Sequence, residues 1–388
     1  MIKTTQEPQT AWRMCMTLEE KAGMSTLFEP VTLGPLQLPN RVVMAPMSRY
    51  RSPEGVPGED IARYYRRRIE GGVSLIITEG SWVPHPGASD QPNAPRFYGD
   101  DALAGWKRVL DEVHAAGGKI MPQLMHRGQT EEGPGGRGAR RVGPSGMFGS
   151  LGVPLKQVDE PATLRDIEDV IDSFAIAAQS AHQMGFDGIA LHGGHGYIID
   201  QFFWSATNLR TDEYGGDIAG RTRFACDLVR EVRRRTAPDF PIMMRLSQWK
   251  LHDYSARLAQ TPQELEAYLL PLVDAGVDIF DFSQRRFWEG EFGTDMNIAG
   301  WARKLSGRPS MTVGSVSLTN DMFDSFMGNA SNVADNLAEL ERRLDRGDFD
   351  LVAVGRALIA DPDWPRKVAN GANADIVPFQ PAALKELV

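Results

Sequence analysis

Short runs of aliphatic and β-branched residues recur along the chain, separated by stretches whose apolar positions return every three to four residues. The first kind of run reads as strand and the second as amphipathic helix. Eight strand runs stand out: RVVMAPM (41–47), VSLIITEG (73–80), KIMPQLM (119–125), GIALHG (188–193), PIMMRLS (241–247), DIFDFSQ (278–284), SMTVGS (310–315) and LVAVGR (351–356). Helical patterns between them include IARYYRRRIEGG (61–72), ALAGWKRVLDEVHAAGG (102–118), LRDIEDVIDSFAIAAQSAHQMG (164–185) and TPQELEAYLLPLVDAG (261–276). Each ends in glycine, the residue that closes a helix in the left-handed conformation. Thr261, Pro262 and Glu264 supply an N-cap, an N1 proline and a capping-box partner for the last of them. Eight strands with helical connections, and no chain left over for a second domain, predict an α/β fold of the (β/α)8 TIM barrel type.

The remaining segments decorate that frame. Residues 1–23 are polar and lack a strand or core period, and Met24 follows directly, so they read as an optional leader or an upstream start, with residues 24–388 forming one domain. FEPVTLGPLQLPN (28–40) reads as a short hairpin able to plug the barrel floor. The Gly/Pro-rich stretch 126–163 is too long for a plain connection and predicts a loop over the active face. Residues 317–346 predict a mainly helical insertion.

Composition narrows the classes of function. The formal net charge is −9, from 51 acidic against 42 basic residues, which provides no electrostatic footprint for nucleic acid or an anionic membrane. The basic runs Arg66 to Arg68 and Arg233 to Arg235 read as solvated helix faces. Two cysteines, Cys15 and Cys226, fit a reducing compartment and fall short of a four-cysteine cluster. No apolar run is long enough for a membrane span or a signal peptide, so a cytoplasmic location is expected.

Barrel enzymes work at the C-terminal ends of their strands. Here those ends carry Ser48 with Tyr50 beyond it, Glu79 and Gly80, Gln123 and His126, His192 with His195 and Tyr197, Arg245, Gly314 with Ser315, and Gly355 with Arg356. The last four residues form the usual barrel phosphate pocket, in which backbone N–H groups and an arginine meet a dianion; the glycines read equally as simple chain turns. The run HGGHGY (192–197) admits a metal reading, but it lacks the glutamate and helix of HExxH sites and no third ligand is evident. The other reading has both imidazoles hydrogen-bond one substrate oxygen while Tyr197 donates a proton.

These residues resemble the Old Yellow Enzyme family of FMN-dependent NAD(P)H oxidoreductases, from about Leu27 to Asn370. GFDGIALHGGHGYIIDQFFWSATNLRTDEYGGDIAGRTRF (185–224) carries the most specific likeness, and NRVVMAPMSRYRS (40–52), ITEGSWV (77–83), QLMHRG (123–128) and VAVGRALIADPDW (352–364) match in order. The resemblance implies that Ala45, Pro46, Met47, Ser48 and Gly80 line FMN and that Gln123 bonds its pyrimidine edge. It places Arg245 near N1 and O2, with Gly314, Ser315, Gly355 and Arg356 on the phosphate. It further implies NADPH or NADH as reductant, and reduction of the C=C bond of activated alkenes such as α,β-unsaturated carbonyls by hydride from flavin N5. His192 and His195 would hold the substrate oxygen, Tyr197 would protonate the α-carbon, and Tyr50 would close the pocket. No metal is implied. The same site suits nitro, nitrate-ester or quinone reduction, and a metal-dependent barrel hydrolase is the alternative from another class. Ser48 stands where other members carry cysteine or threonine, so it can donate a hydrogen bond but offers no thiol. Trp249, Phe287 and Trp288 read either as pocket walls or as packing. Homodimers or larger assemblies are common in the family, and a small-molecule substrate is the partner expected.

Overall fold

The computed structural model describes residues 25–130 and 139–388; the leader 1–23 and part of the predicted loop 126–163 lie outside these. A hairpin comes first, with β1 (Val31–Leu33) antiparallel to β2 (Leu36–Leu38). The barrel strands are β3 (Val42–Met44), β4 (Leu75–Trp82), β5 (Lys119–Met125), β8 (Ile189–His192), β9 (Ile242–Ser247), β10 (Ile279–Ser283), β11 (Ser310–Val313) and β12 (Leu351–Val354). They close in chain order, with β12 pairing parallel to β3. Between β5 and β8 a small hairpin, β6 (Met147–Phe148) with β7 (Lys156–Gln157), folds within the predicted loop.

Period-two alternation separates two cores. Val43, Ala45, Leu75, Ile77, Met121, Ala190, Met243, Ile279, Met311, Leu351 and Ala353 fill the barrel interior, and Leu33, Leu36 and Leu38 of the hairpin close that cluster from the floor. Their neighbours Val42, Met44, Ile76, Ile120, Leu191, Met244, Phe280 and Val352 face outward into the helices. The inward parity then continues up the strands to Gln123, His192, Arg245 and Asp281, all buried. Thus the apolar floor and the polar rim belong to the same face of the same strands.

Local signals act as the physics requires, with some shifts. Gly185 and Gly276 close their helices at φ of 90° and 120°. Thr261 caps its helix by accepting from Glu264 N, but the Glu264 carboxylate turns back to Gln260 N at 2.7 Å, one residue earlier than a capping box. A full box forms instead at Thr163 and Asp166, where helix Leu164–Met184 begins. Thr163→Ala removes that cap and is expected to cost about 1 kcal/mol, read from the urea midpoint.

Two readings are corrected. Arg68 is fully buried; its guanidinium lies 3.7 Å from the Tyr64 ring centroid and donates to Leu358 O, while Arg233 and Arg235 pair with Asp278 and Asp172. Arg68, Arg233 and Arg235 therefore tie elements together, because arginine stems pack well and the fork satisfies several carbonyls, while Arg66 and Arg234 keep to the solvated face. The 317–346 segment is helical only at Met322–Phe326 and Leu337–Asp345; Asp321 accepts from Phe323 N at the first helix, and in the rest Ser331 and Asn336 side chains accept from the amides of Asn320 and Ser317.

Candidate active site at the barrel mouth

Adjacent strands bring the inward polar residues into one ring. Gly80 is in register with Gln123, His192 with Arg245, and Arg245 with Asp281. A register shift between Ile77 and Gly80 marks a bulge that re-aims the end of β4. Glu79, in that bulge, accepts from Arg49 N at 2.8 Å and Tyr50 N at 3.2 Å. The carboxylate that the metal alternative would need is thus fixing the loop that carries Tyr50. Burial raises the Glu79 pKa to about 7, against these hydrogen bonds.

Beyond β8 the chain turns sharply. The His192 and His195 ring centroids lie 5.0 Å apart, and His192 and Tyr197 lie 4.8 Å apart. Burial, followed by the Arg245 charge, lowers the His192 pKa to about 3, and burial with His192, Arg245 and Lys250 nearby holds His195 well below the usual imidazole range. Both rings are therefore neutral at pH 7, each with one N–H to donate. Burial raises Tyr197 to about 12, so its phenol keeps its proton. Tyr50 is about half exposed at the edge of the mouth.

On the next two strands of the barrel, β9 and β10, Arg245 and Asp281 meet at 3.2 Å, both buried. Burial lowers the arginine's pKa and raises the Asp281 pKa to about 6, with Arg245 opposing the latter. Asp281 was legible in DIFDFSQ as a charge inside an apolar strand, but its inward parity shows only once the register is known. Trp249 is a wall of the site: its ring stacks on His195 at 4.4 Å and on Tyr254 at 5.4 Å. Phe287 is fully buried in the outer core, with Trp288 packed against it.

The mouth fits a flat, polar ring system. Gln123 Nε2, His192 Nδ1 and His195 Nε2 are buried without a hydrogen-bond partner among the described residues. Such orphaned groups cost about 1–3 kcal/mol each unless a ligand or water meets them. At the end of β12 a Cβ on Gly355 would lie 3.4 Å from Met47 Sδ and 3.9 Å from Ala45 Cβ, so three predicted cofactor residues converge. Gly80 would place its Cβ 3.7 Å from Gln123 Oε1, joining the other side.

At the predicted phosphate end, Arg356 and Ser315 also bind the chain itself. Arg356 donates to Asn320 O, Asp321 O and Ser325 Oγ, and lies over Phe379. Ser315, at φ 53°, donates to Arg285 O and Asn320 O. These side chains hold the 320–325 segment, which sequence spacing did not reveal. The most specific motif is likewise scaffolding in part: Asn208 bonds Phe202 O and Tyr214 O, and Arg210 bonds Pro144 O. His126 pairs with His85 at 2.9 Å rather than with the other mouth histidines.

Comparison with known proteins agrees with this geometry. The NADH:flavin oxidoreductase / NADH oxidase family model matches residues 26–375. A chanoclavine-I aldehyde reductase of Penicillium roqueforti is 30% identical, over 92% of this chain and 91% of its own length. An NADH oxidase of Thermoanaerobacter brockii is 32% identical over 90% of this chain, which spans 52% of that protein. Morphinone reductase superposes with a TM-score of 0.76 at 28% identity, covering 93% of both chains. An old yellow enzyme homologue from Zymomonas mobilis gives 0.74 at 26%, covering 94% and 99%. This places the site in a flavin oxidoreductase and sets the hydrolase alternative aside. The chain belongs to the NADH:flavin oxidoreductase / NADH oxidase family, the Old Yellow Enzyme family its motifs resemble.

Proposed function

We propose that the chain is an FMN-dependent, NAD(P)H-consuming reductase of the C=C bond of activated alkenes such as α,β-unsaturated carbonyls. One observation carries the reading: the His195 and Tyr197 rings lie 5.0 and 4.8 Å from that of His192 at the barrel rim, beside buried Arg245 and Gln123, with both imidazoles neutral and the phenol protonated. The names of relatives support it, since they include reductases of chanoclavine-I aldehyde, 12-oxophytodienoate and morphinone.

FMN, when bound, supplies hydride transfer, first from a nicotinamide and then to the alkene. Gln123 and Arg245 would hold its pyrimidine edge, and Ala45, Pro46, Met47, Ser48 and Gly80 would line it. Gly314, Ser315 and Gly355 would take the phosphate through backbone N–H groups, joined by Arg356 on release from its carbonyl partners. His192 and His195 donate to the substrate carbonyl oxygen, drawing electron density from the β-carbon. Tyr197 keeps its proton until the α-carbon becomes basic, then delivers it. Tyr50 covers the substrate from the solvent side. A cytoplasmic setting, NADPH or NADH as donor, and a homodimer or larger homo-oligomer belong to this proposal.

The test is an absorption spectrum of the purified protein, followed anaerobically by NADPH or NADH and then 2-cyclohexenone. Flavin bands that bleach and recover with the enone are expected. Bleaching without recovery overturns the alkene reading and moves the substrate to nitro compounds, nitrate esters or quinones. A colourless protein that does not take up FMN overturns the whole reading.

A further inference from the structure

The turn that aims the proposed catalytic groups is unusual in its backbone. His195 and Gly196 are successive left-handed residues, at φ of 63° and 82°. A non-glycine residue in this conformation is strained and persists only where its surroundings over-determine it. A Cβ on Gly196 would meet His252 Nδ1 at 2.8 Å, so only glycine fits there.

What holds the turn comes from two sides. The end of β9 and the residues just past it grip the turn: His195 N donates to Ser247 Oγ at 2.8 Å, Ser247 Oγ donates to Trp249 O at 2.7 Å, and the Trp249 ring stacks on His195. The short helix Ile198–Phe203 grips it from the other side, through Asp200 Oδ2, which accepts from Gly196 N at 2.6 Å, and Gln201 Nε2, which donates to Gly196 O at 2.8 Å. One contact joins the two grips. Lys250 Nζ donates to Asp200 Oδ1 at 2.5 Å, with both side chains sealed from solvent.

A buried ion pair is poor evidence for stability, because desolvation costs several kcal/mol per ion and matched apolar residues often do as well. Apolar residues would fill the same space but accept nothing from Gly196 N–H. We infer that the Asp200–Lys250 pair is the positioning device that sets the His195–Gly196 turn, and so the aim of the His195 imidazole and the Tyr197 phenol. Its catalytic consequence rests on the function proposed above; its structural consequence does not.

The test uses Asp200→Leu with Lys250→Met, a double variant that removes both charges and the acceptor for Gly196 N–H, beside each single variant. The 15N imidazole resonances of His195 are recorded on the flavin-free protein, together with its thermal midpoint. With FMN bound, the affinity for 4-hydroxybenzaldehyde, a stable phenolate probe of the histidine pair, and kcat for 2-cyclohexenone are measured. The expected result is a double variant that folds, shows shifted His195 resonances, and loses roughly 100-fold in phenolate affinity and kcat, the scale of loss from a misplacement of about 1 Å. Where a single variant fails to fold, the double variant carries the test. Shifted resonances in a protein without alkene reductase activity would uphold the positioning role and overturn the proposed function. Unchanged His195 resonances and phenolate affinity, whatever the thermal midpoint, would reduce the pair to a structural filler and overturn the inference.

Discussion

Tyr197→Phe lowers the rate at which the reduced enzyme consumes 2-cyclohexenone by about 10²–10⁴-fold, the usual contribution of a positioned acid. Its reduction by NADPH or NADH stays nearly unchanged. The asymmetry follows from what each half of the cycle asks of the phenol. Hydride delivery by a nicotinamide needs no proton from Tyr197, whereas saturating a C=C bond needs one at the α-carbon. Burial holds the phenol protonated, with a pKa of about 12, and its ring lies 4.8 Å from that of His192, so it sits beside the group that would orient the carbonyl. Phenylalanine keeps the ring and its packing, so the fold and flavin content are expected to persist. The two halves are separated by anaerobic stopped-flow, following flavin absorbance. Equal losses in both would mean that Tyr197 shapes binding rather than giving a proton. An unchanged rate with the enone would assign protonation to solvent or another residue.

Much of this was legible because a barrel repeats one simple unit. Each of the eight apolar runs becomes a barrel strand, since no other arrangement buries so many short strands with helices between them. The hairpin at the floor was visible in its alternation, where Leu36 and Leu38 are buried and Gln37 is exposed. Grouping of the mouth residues followed from the rule that strand ends converge. What stayed hidden depends on geometry between distant segments. The Arg356 side chain reads as a phosphate ligand, but its contacts with the 320–325 carbonyls show only in the fold. Glu79 reads only as a polar strand end, and the fold alone shows that the β4 bulge turns it to the amides of Arg49 and Tyr50. Asp200 and Lys250 are ordinary charged letters 50 residues apart in the sequence, and only the fold brings them together at 2.5 Å.

Arg245→Met is expected to destabilise the flavin-free protein at pH 7 by about 1 kcal/mol, because a buried charge left without its partner takes up a proton instead of staying ionised. That charge is Asp281, 3.2 Å from the guanidinium and 1% exposed. Even with Arg245 in place, burial raises the Asp281 pKa to about 6. The ordinary value is about 3.9, so the folded state binds this proton more tightly than the unfolded chain. Stability from Asp281 is therefore fullest below about pH 4 and falls as pH rises through about 6; the shift of roughly two units corresponds to about 3 kcal/mol. Losing the guanidinium raises the pKa further and extends the fall toward neutral pH. The gap between variant and wild type should consequently be wider at pH 7 than at pH 5, where Asp281 in the variant is protonated and neutral. Asp281→Asn placed on top of Arg245→Met should recover most of the loss at pH 7, since it removes the stranded charge and keeps the shape. Urea denaturation of the three proteins at both pH values measures this. A gap independent of pH, with no recovery from Asp281→Asn, would mean that the loss comes from a packing defect left by the arginine stem rather than from the carboxylate.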